Sequence, residues 1–168
     1  MALRKAISYD RVSGANQAKK GRGLDGQAMD ADTWAAANGY ELDTELRFSD
    51  PGKSASKGHH IAEGGALRRL LDMAGKGQLP PGTVLLVEAI DRLSRLEPLD
   101  ALTEIFSPLI KAGVRIVTVE DGATYDRERL QTDPSCLLVL TIKIQEAARF
   151  SERLARRQRR RWKQDRET

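Results

Sequence analysis

The stretch "AISYDRVSGANQ", residues 6–17, decides how the rest of the chain is read. A short apolar run ends in Arg11 and Ser13, and the chain then turns polar. Residues two apart on a strand project from the same face, so a permanent cation and a hydroxyl stand side by side where this strand ends.

Outward from that strand, apolar runs alternate with helical patterns. The spacing predicts strands near 4–9, 41–48, 83–89 and 114–119, and helices near 25–38, 62–75, 97–112 and 133–165. Gly39 and Gly113 fall just past helical segments, where a left-handed residue ends a helix, and Pro80-Pro81-Gly82 breaks the chain before the third strand. The order βαβαβαβα implies an α/β domain, its parallel sheet covered by helices on both faces.

At 168 residues the chain is long enough for one well-packed domain. No apolar run reaches membrane-spanning length, and "MALRKAISYD" lacks the hydrophobic core of a secretory leader, so no membrane partner is expected. The single cysteine, Cys136, excludes an internal disulfide and fits a reducing cytoplasm; inside "CLLVL" it reads as a core thiol. From Arg149 to Thr168 there are nine Lys/Arg and three Asp/Glu, so this tail carries +6 of a net +4 and the remaining chain carries −2. A nearly neutral body with a basic arm is a footprint of nucleic-acid binding, though a solvated helix end would give the same count.

That arm closes an unusually long helix. Asp133 reads as its N-cap and Pro134 as its first helical residue. About 30 residues give a rod of roughly 45–50 Å. Its first half is apolar almost all round, at Leu137, Leu138, Val139, Leu140, Ile142 and Ile144, so one face packs on the body and the other is left for a partner. The expectation is homodimerisation over 133–165, followed by DNA contact through Arg153, Arg156, Arg157 and Arg160.

Serine needs an activator or a stabilised electrophile. The only histidines, His59 and His60, sit together in the polar stretch "SKGHHIAEGG", and Ser13 lacks a Gly-x-Ser-x-Gly elbow, so acyl transfer is weakly supported. One cysteine and a histidine pair give no zinc spacing. Arginine beside the serine points to phosphate, whose oxygens match a guanidinium fork. The third strand's exit repeats the theme: in "TVLLVEAIDRLSRL", Asp91, Arg92 and Arg95 follow the strand at once, Arg92 and Arg95 one helical turn apart. Doubly wound sheets bind ligands where strand order reverses. If the first and third strands are neighbours, Arg11, Ser13, Arg92 and Arg95 converge, with Asp91 capping the turn or holding an arginine. Three fixed cations suit the charge that develops on a phosphodiester under attack.

Taken in order, "YDRVSGANQ", "GLDGQ", "FSDPGKSAS" and "AIDRLSR" resemble the catalytic domain of the serine recombinases, the resolvase/invertase family. The resemblance spans about residues 5–125, and the long helix fits it. It implies a flavodoxin-like, three-layer resolvase domain over 1–132 with a mostly parallel sheet of four or five strands, and a dimerisation helix with its basic arm over 133–168. It implies Ser13 as a nucleophile forming a 5′-phosphoserine link to double-stranded DNA. Arg11, Arg92 and Arg95 would bind the scissile phosphate and Asp91 would orient arginine or handle a proton. Gln17 and Gln27 would support the site, and Asp50 and Ser54 would lie in a mobile active-site loop. The family works without metal or nucleotide cofactor, in a synaptic tetramer that exchanges strands by subunit rotation.

Two features depart from that pattern. Where relatives carry a further arginine, often followed by proline, this chain has Gly64 and Gly65; Lys57 is the nearest replacement and Arg68 a weaker one. Relatives also continue into a recognition domain, which is expected to be absent from these 168 residues. "GRGLDG", residues 21–26, fits a dinucleotide fingerprint in letters only, because a polar stretch separates it from the strand. The rival readings are a DNA-binding or regulatory module that keeps the fold without the reaction, and a nucleotide-binding enzyme of similar fold.

Overall fold

The computed structural model describes residues 4–12, 24–51 and 65–167. Its elements are β1 (Arg4–Val12), α1 (Leu24–Ala37), β2 (Tyr40–Pro51), α2 (Ala66–Gly75), β3 (Val84–Val87), α3 (Ile90–Leu93), α4 (Pro98–Ala101), a π-helical turn (Leu102–Phe106), α5 (Ser107–Lys111), β4 (Arg115–Thr118), β5 (Ala123–Tyr125), α6 (Arg127–Thr132) and α7 (Pro134–Glu167). The sheet order is β2-β1-β3-β4-β5. The first four strands are parallel, and β5 pairs antiparallel with β4.

Alternation along β1 sorts the core into two layers. Ile7 and Tyr9 face one side, where they join Leu67, Leu70, Phe106, Leu109, Leu140 and Ile144 from α2, the π turn, α5 and α7. Ala6 faces the other, with Leu42, Val84, Leu86 and Val117, covered by Ala31 and Ala35 of α1. Alanines four apart present a flat stripe, so α1 approaches the sheet closely. Trp34 closes this layer, its ring 5.8 Å from that of Tyr40.

The expected order of four strands and four principal helices is present, with differences that have physical causes. β1 and β2 run longer than expected, to Val12 and Pro51, because each pairs with the other to its end. Their register breaks between Ala6 and Ser8, opposite Leu42 and Arg47. There Asp43 accepts hydrogen bonds from the main-chain N–H of Glu45 and Leu46, which turns β2 out of the ladder. The helix expected over 62–75 begins at Ala66 among the described residues, 62–64 lying outside them. The helix expected over 97–112 holds as one run through α4, the π turn and α5. Pro108 has no N–H to donate to Glu104, and the wider π turn absorbs that lost bond. β5, α3 and α6 were not expected; with three to six residues each, they are too short to show periodicity.

Gly113 carries φ +85° after α5, and a Cβ there would sit 3.1 Å from Cα of Pro81. The glycine expected to stop this helix therefore also lets the Pro80-Pro81-Gly82 turn pack against it. α7 starts as expected: Pro134 opens it, and the Asp133 side chain accepts the N–H of Ser135 at 3.0 Å. Cys136 lies in the core, its thiol pushed up by burial.

Candidate active site

β1 and β3 are neighbours, paired from Ala6 and Val84 to Ser8 and Leu86. β1 continues four residues further, to Val12, so its end lies beside the turn into α3. Arg11 is at that end, on the Tyr9 face, and is fully buried. Its Nε donates to the main-chain oxygen of Arg92 at 2.8 Å, and a terminal nitrogen donates to the main-chain oxygen of Asp91. Burial lowers its pKa to about 10, and the nearby Arg95 charge pushes the same way, yet the group stays cationic at neutral pH.

The α3 turn carries the other charges. Asp91 Oδ2 lies 3.7 Å from a terminal nitrogen of Arg92 and 3.8 Å from one of Arg95, so one carboxylate faces both guanidinium groups. It holds arginines and does not cap: the N-cap position is Ala89, with no side-chain bond. Arg92 and Arg95 do not share a helical turn as expected, since α3 ends at Leu93 and Ser94 is extended, its Oγ accepting the N–H of Leu96. They meet because both turn back toward Asp91. Burial opposes the charge of Arg92, but a 2.8 Å bond from its Nε to Glu88 Oε2 and the Asp91 carboxylate outweigh it, and its pKa is raised. Burial dominates at Arg95 and lowers its pKa against the pull of Asp91. Arg95 is 8% exposed, its guanidinium is 5.6 Å from the ring centre of Phe150 on α7, and its Nε has no hydrogen-bond partner among the described residues.

Asp50 is placed differently from its expected position in a mobile loop. It is the next-to-last residue of β2, opposite Arg11 and 2% exposed. Its carboxylate accepts the Tyr9 hydroxyl at 2.9 Å and the main-chain N–H of Ala66 and Leu67 at 2.8 and 3.1 Å. Gly65, at the N-cap of α2, has no side chain to offer, and Asp50 supplies the acceptor from another strand. Burial raises the pKa of Tyr9, and Asp50 raises it further.

Arg11, Asp91, Arg92 and Arg95 are thus brought together at the switch point, with Asp50 adjoining them through the β1–β2 ladder. Ser13, Gln17, Ser54 and Lys57 lie outside the described residues, as do His59 and His60; Gln27 falls on α1, its side chain outside the description. Arg68 is not drawn in: its Nε pairs with Asp72 at 3.0 Å on the outer side of α2. Arg153, Arg156, Arg157 and Arg160 are exposed along α7, Arg156 bonded to Glu152. Glu88, Tyr9 and Phe150 were missed. Glu88 stands four before Arg92 and Tyr9 two before Arg11, spacings that signal contact; nothing local marks Phe150. Among the described residues no group of three or more His, Cys, Asp or Glu could hold a metal ion, and no helix is long and apolar enough to cross a membrane.

Comparison with known proteins gives a consistent set of matches. Residues 6–168 match the family model described as Resolvase, N terminal domain. The chain is 35% identical over 166 residues to the uncharacterized protein YbcK of Escherichia coli (strain K12), covering 98% of this chain and 32% of that one. It therefore spans about a third of the length of that relative. Among solved structures it is similar to the N-terminal catalytic domain of TP901-1 integrase (TM-score 0.61, 25% identity, 90% of this chain and 99% of that one). It shares its fold with a resolvase family site-specific recombinase from Streptococcus pneumoniae (TM-score 0.59, 24% identity, 94% and 99%).

Proposed function

The chain belongs to the resolvase N-terminal domain family, and from that premise we propose that it is the catalytic domain of a DNA recombinase using Ser13 as its nucleophile. The observation that carries this reading is the meeting at the β1/β3 switch point of Arg92 and Arg95 around the Asp91 carboxylate, with Arg11 bonded to the main chain of the same turn. Ser13 Oγ attacks phosphorus, the bond to the 3′-oxygen breaks, and a 5′-phosphoserine forms. The serine proton leaves as the 3′-oxygen gains one. Arg92 and Arg95 present their forks to the phosphate oxygens, where negative charge builds in the transition state. Asp91 keeps the two forks aimed. Arg11 contributes charge and holds the α3 turn by its main-chain oxygens.

The family resemblance supplies the remaining steps: no metal or nucleotide, double-strand cleavage in a tetramer, subunit rotation and religation, in the cytoplasm. α7 suits the assembly, because Leu138 and Ile142, one turn apart, are 60% and 46% exposed beside the buried Leu140 and Ile144. Covering such a stripe with a second copy removes apolar surface from water. Gln17, Gln27, Ser54 and Lys57 take supporting roles by family resemblance.

The test is covalent capture. The full-length protein with its target duplex should give an adduct that resists SDS and is removed by protease. Ser13→Ala should lose the adduct and keep DNA binding. An adduct that survives this change refutes the nucleophile assignment; binding without any adduct in the unaltered protein favours a regulatory module.

A further inference from the structure

The basic arm is not a uniform rod, because α7 has already chosen which side faces the body. Cys136, Leu140, Ile144, Ala147 and Ser151 are buried and Ala155 is half-buried, at steps of three and four residues. The same steps continue to Arg159, Trp162 and Arg166, so these three stand on the extension of the packed seam. Arg160 and Arg153 are two and nine residues from Trp162, about half a turn away on the opposite side.

That seam leads from the arginine cluster. Arg95, Ser151, Ala155, Arg149 and Arg159 line one cleft between the α3–α4 region and α7, which Glu97, Asp100 and Glu152 also border, so the cationic surface begins beyond it at Arg159. Small side chains at 151 and 155 leave room beside Arg95, and the large ones begin only beyond them. Trp162 is 69% exposed, an indole flanked along its face by Arg159 three residues before and Arg166 four after. An apolar ring between two cations matches the surface of a nucleic acid, where phosphates border sugars and base edges.

Resting on the proposed function, in which duplex DNA reaches the arginine cluster, we infer that the duplex lies along the Arg159–Trp162–Arg166 face of α7, with the indole of Trp162 packed into a groove. Eleven residues separate Ser151 from Trp162, roughly 16 Å of helix. At ~3.4 Å per base pair, the indole meets the duplex about five pairs from the phosphate beside Arg95. This assignment moves the principal contacts to Arg159 and Arg166 from the registers centred on Arg153 and Arg160.

The experiment compares two variants of equal charge in the 168-residue chain: Arg159→Ala with Arg166→Ala, and Arg153→Ala with Arg160→Ala. Binding to a fluorescein-labelled duplex is followed by anisotropy across a salt series. The first pair should weaken binding at least about tenfold and lower the slope of log K against log salt by about two; the second should lose less on both measures. In a Trp34→Phe background the emission of Trp162 should change on adding unlabelled duplex and become protected from iodide. Equal losses in the two pairs, or a bound Trp162 still open to iodide, overturn the face assignment alone. If the unaltered chain fails to bind duplex, the DNA contact in the proposed function falls with it.

Discussion

Arg11 Nε donates to the main-chain oxygen of Arg92 at 2.8 Å, joining residues 81 apart in sequence. A lysine keeps the charge but has no fork to reach both Arg92 and Asp91 oxygens. Arg11→Lys is therefore expected to cost about 1.5–3 kcal/mol of stability, the usual range for a hydrogen bond to a charged group. It should also slow cleavage more than it weakens DNA binding. Urea unfolding beside the adduct assay checks both; wild-type stability in the lysine variant would mean the tie contributes nothing.

Asp50 holds three donors at once, so its removal and that of Tyr9 should differ in size. Tyr9→Phe deletes one donor and is expected to cost about 1 kcal/mol. Asp50→Ala strands the Tyr9 hydroxyl and two N–H groups of α2, and should cost about 3 kcal/mol. The double variant should be less destabilised than the sum, because the groups interact directly. Chemical denaturation of the four proteins measures this, and strict additivity would contradict the geometry.

Asp10 lies on the α1 face of the sheet, buried, its carboxyl raised to about 6 by burial, which Glu88 and Asp32 reinforce and Arg47 partly relieves. An unfolded aspartate titrates near 4. The folded state thus binds this proton more tightly, so the associated stability is complete below about pH 4 and is lost as pH rises through about 6. Melting curves from pH 4 to 8 should show a decline that Asp10→Asn flattens, with the variant the more stable at pH 8 by on the order of 2 kcal/mol. Parallel curves for the two proteins would show that Asp10 titrates normally.

The outer face of α7 should control self-association. Leu138→Glu with Ile142→Glu places two carboxylates on the exposed stripe, away from the buried seam. Sedimentation should show the mass falling from dimer to monomer while the far-ultraviolet circular dichroism stays unchanged. An unchanged mass would move the interface elsewhere.

The strands were legible where punctuation marks them, with Gly39 before β2, Pro80-Pro81-Gly82 before β3 and Gly113 before β4, while their order in the sheet was not, since nothing local in a strand names its neighbour. The convergence of Arg11 with Arg92 and Arg95 was legible only on the condition that β1 and β3 are neighbours, which their pairing meets. Asp50 was not. Whether a carboxylate ends a strand or enters a loop depends on the donors that reach it, here from Tyr9 and α2. The contact of Arg95 with Phe150 was equally hidden, because 55 residues separate them and only packing brings them together. In the arm, composition announced a cation but left open which side of α7 faces the body; burial of Ser151 and half-burial of Ala155 mark that side.

The displacement of β2 near Asp43 bears on how copies of the domain avoid one another. β2 is an outer strand, and an outer strand offers unpaired main-chain groups to any similar edge. Turning Glu45 and Leu46 toward the Asp43 carboxylate breaks that template into shorter pieces. Sheets from two molecules are thereby hindered from zipping edge to edge into aggregates.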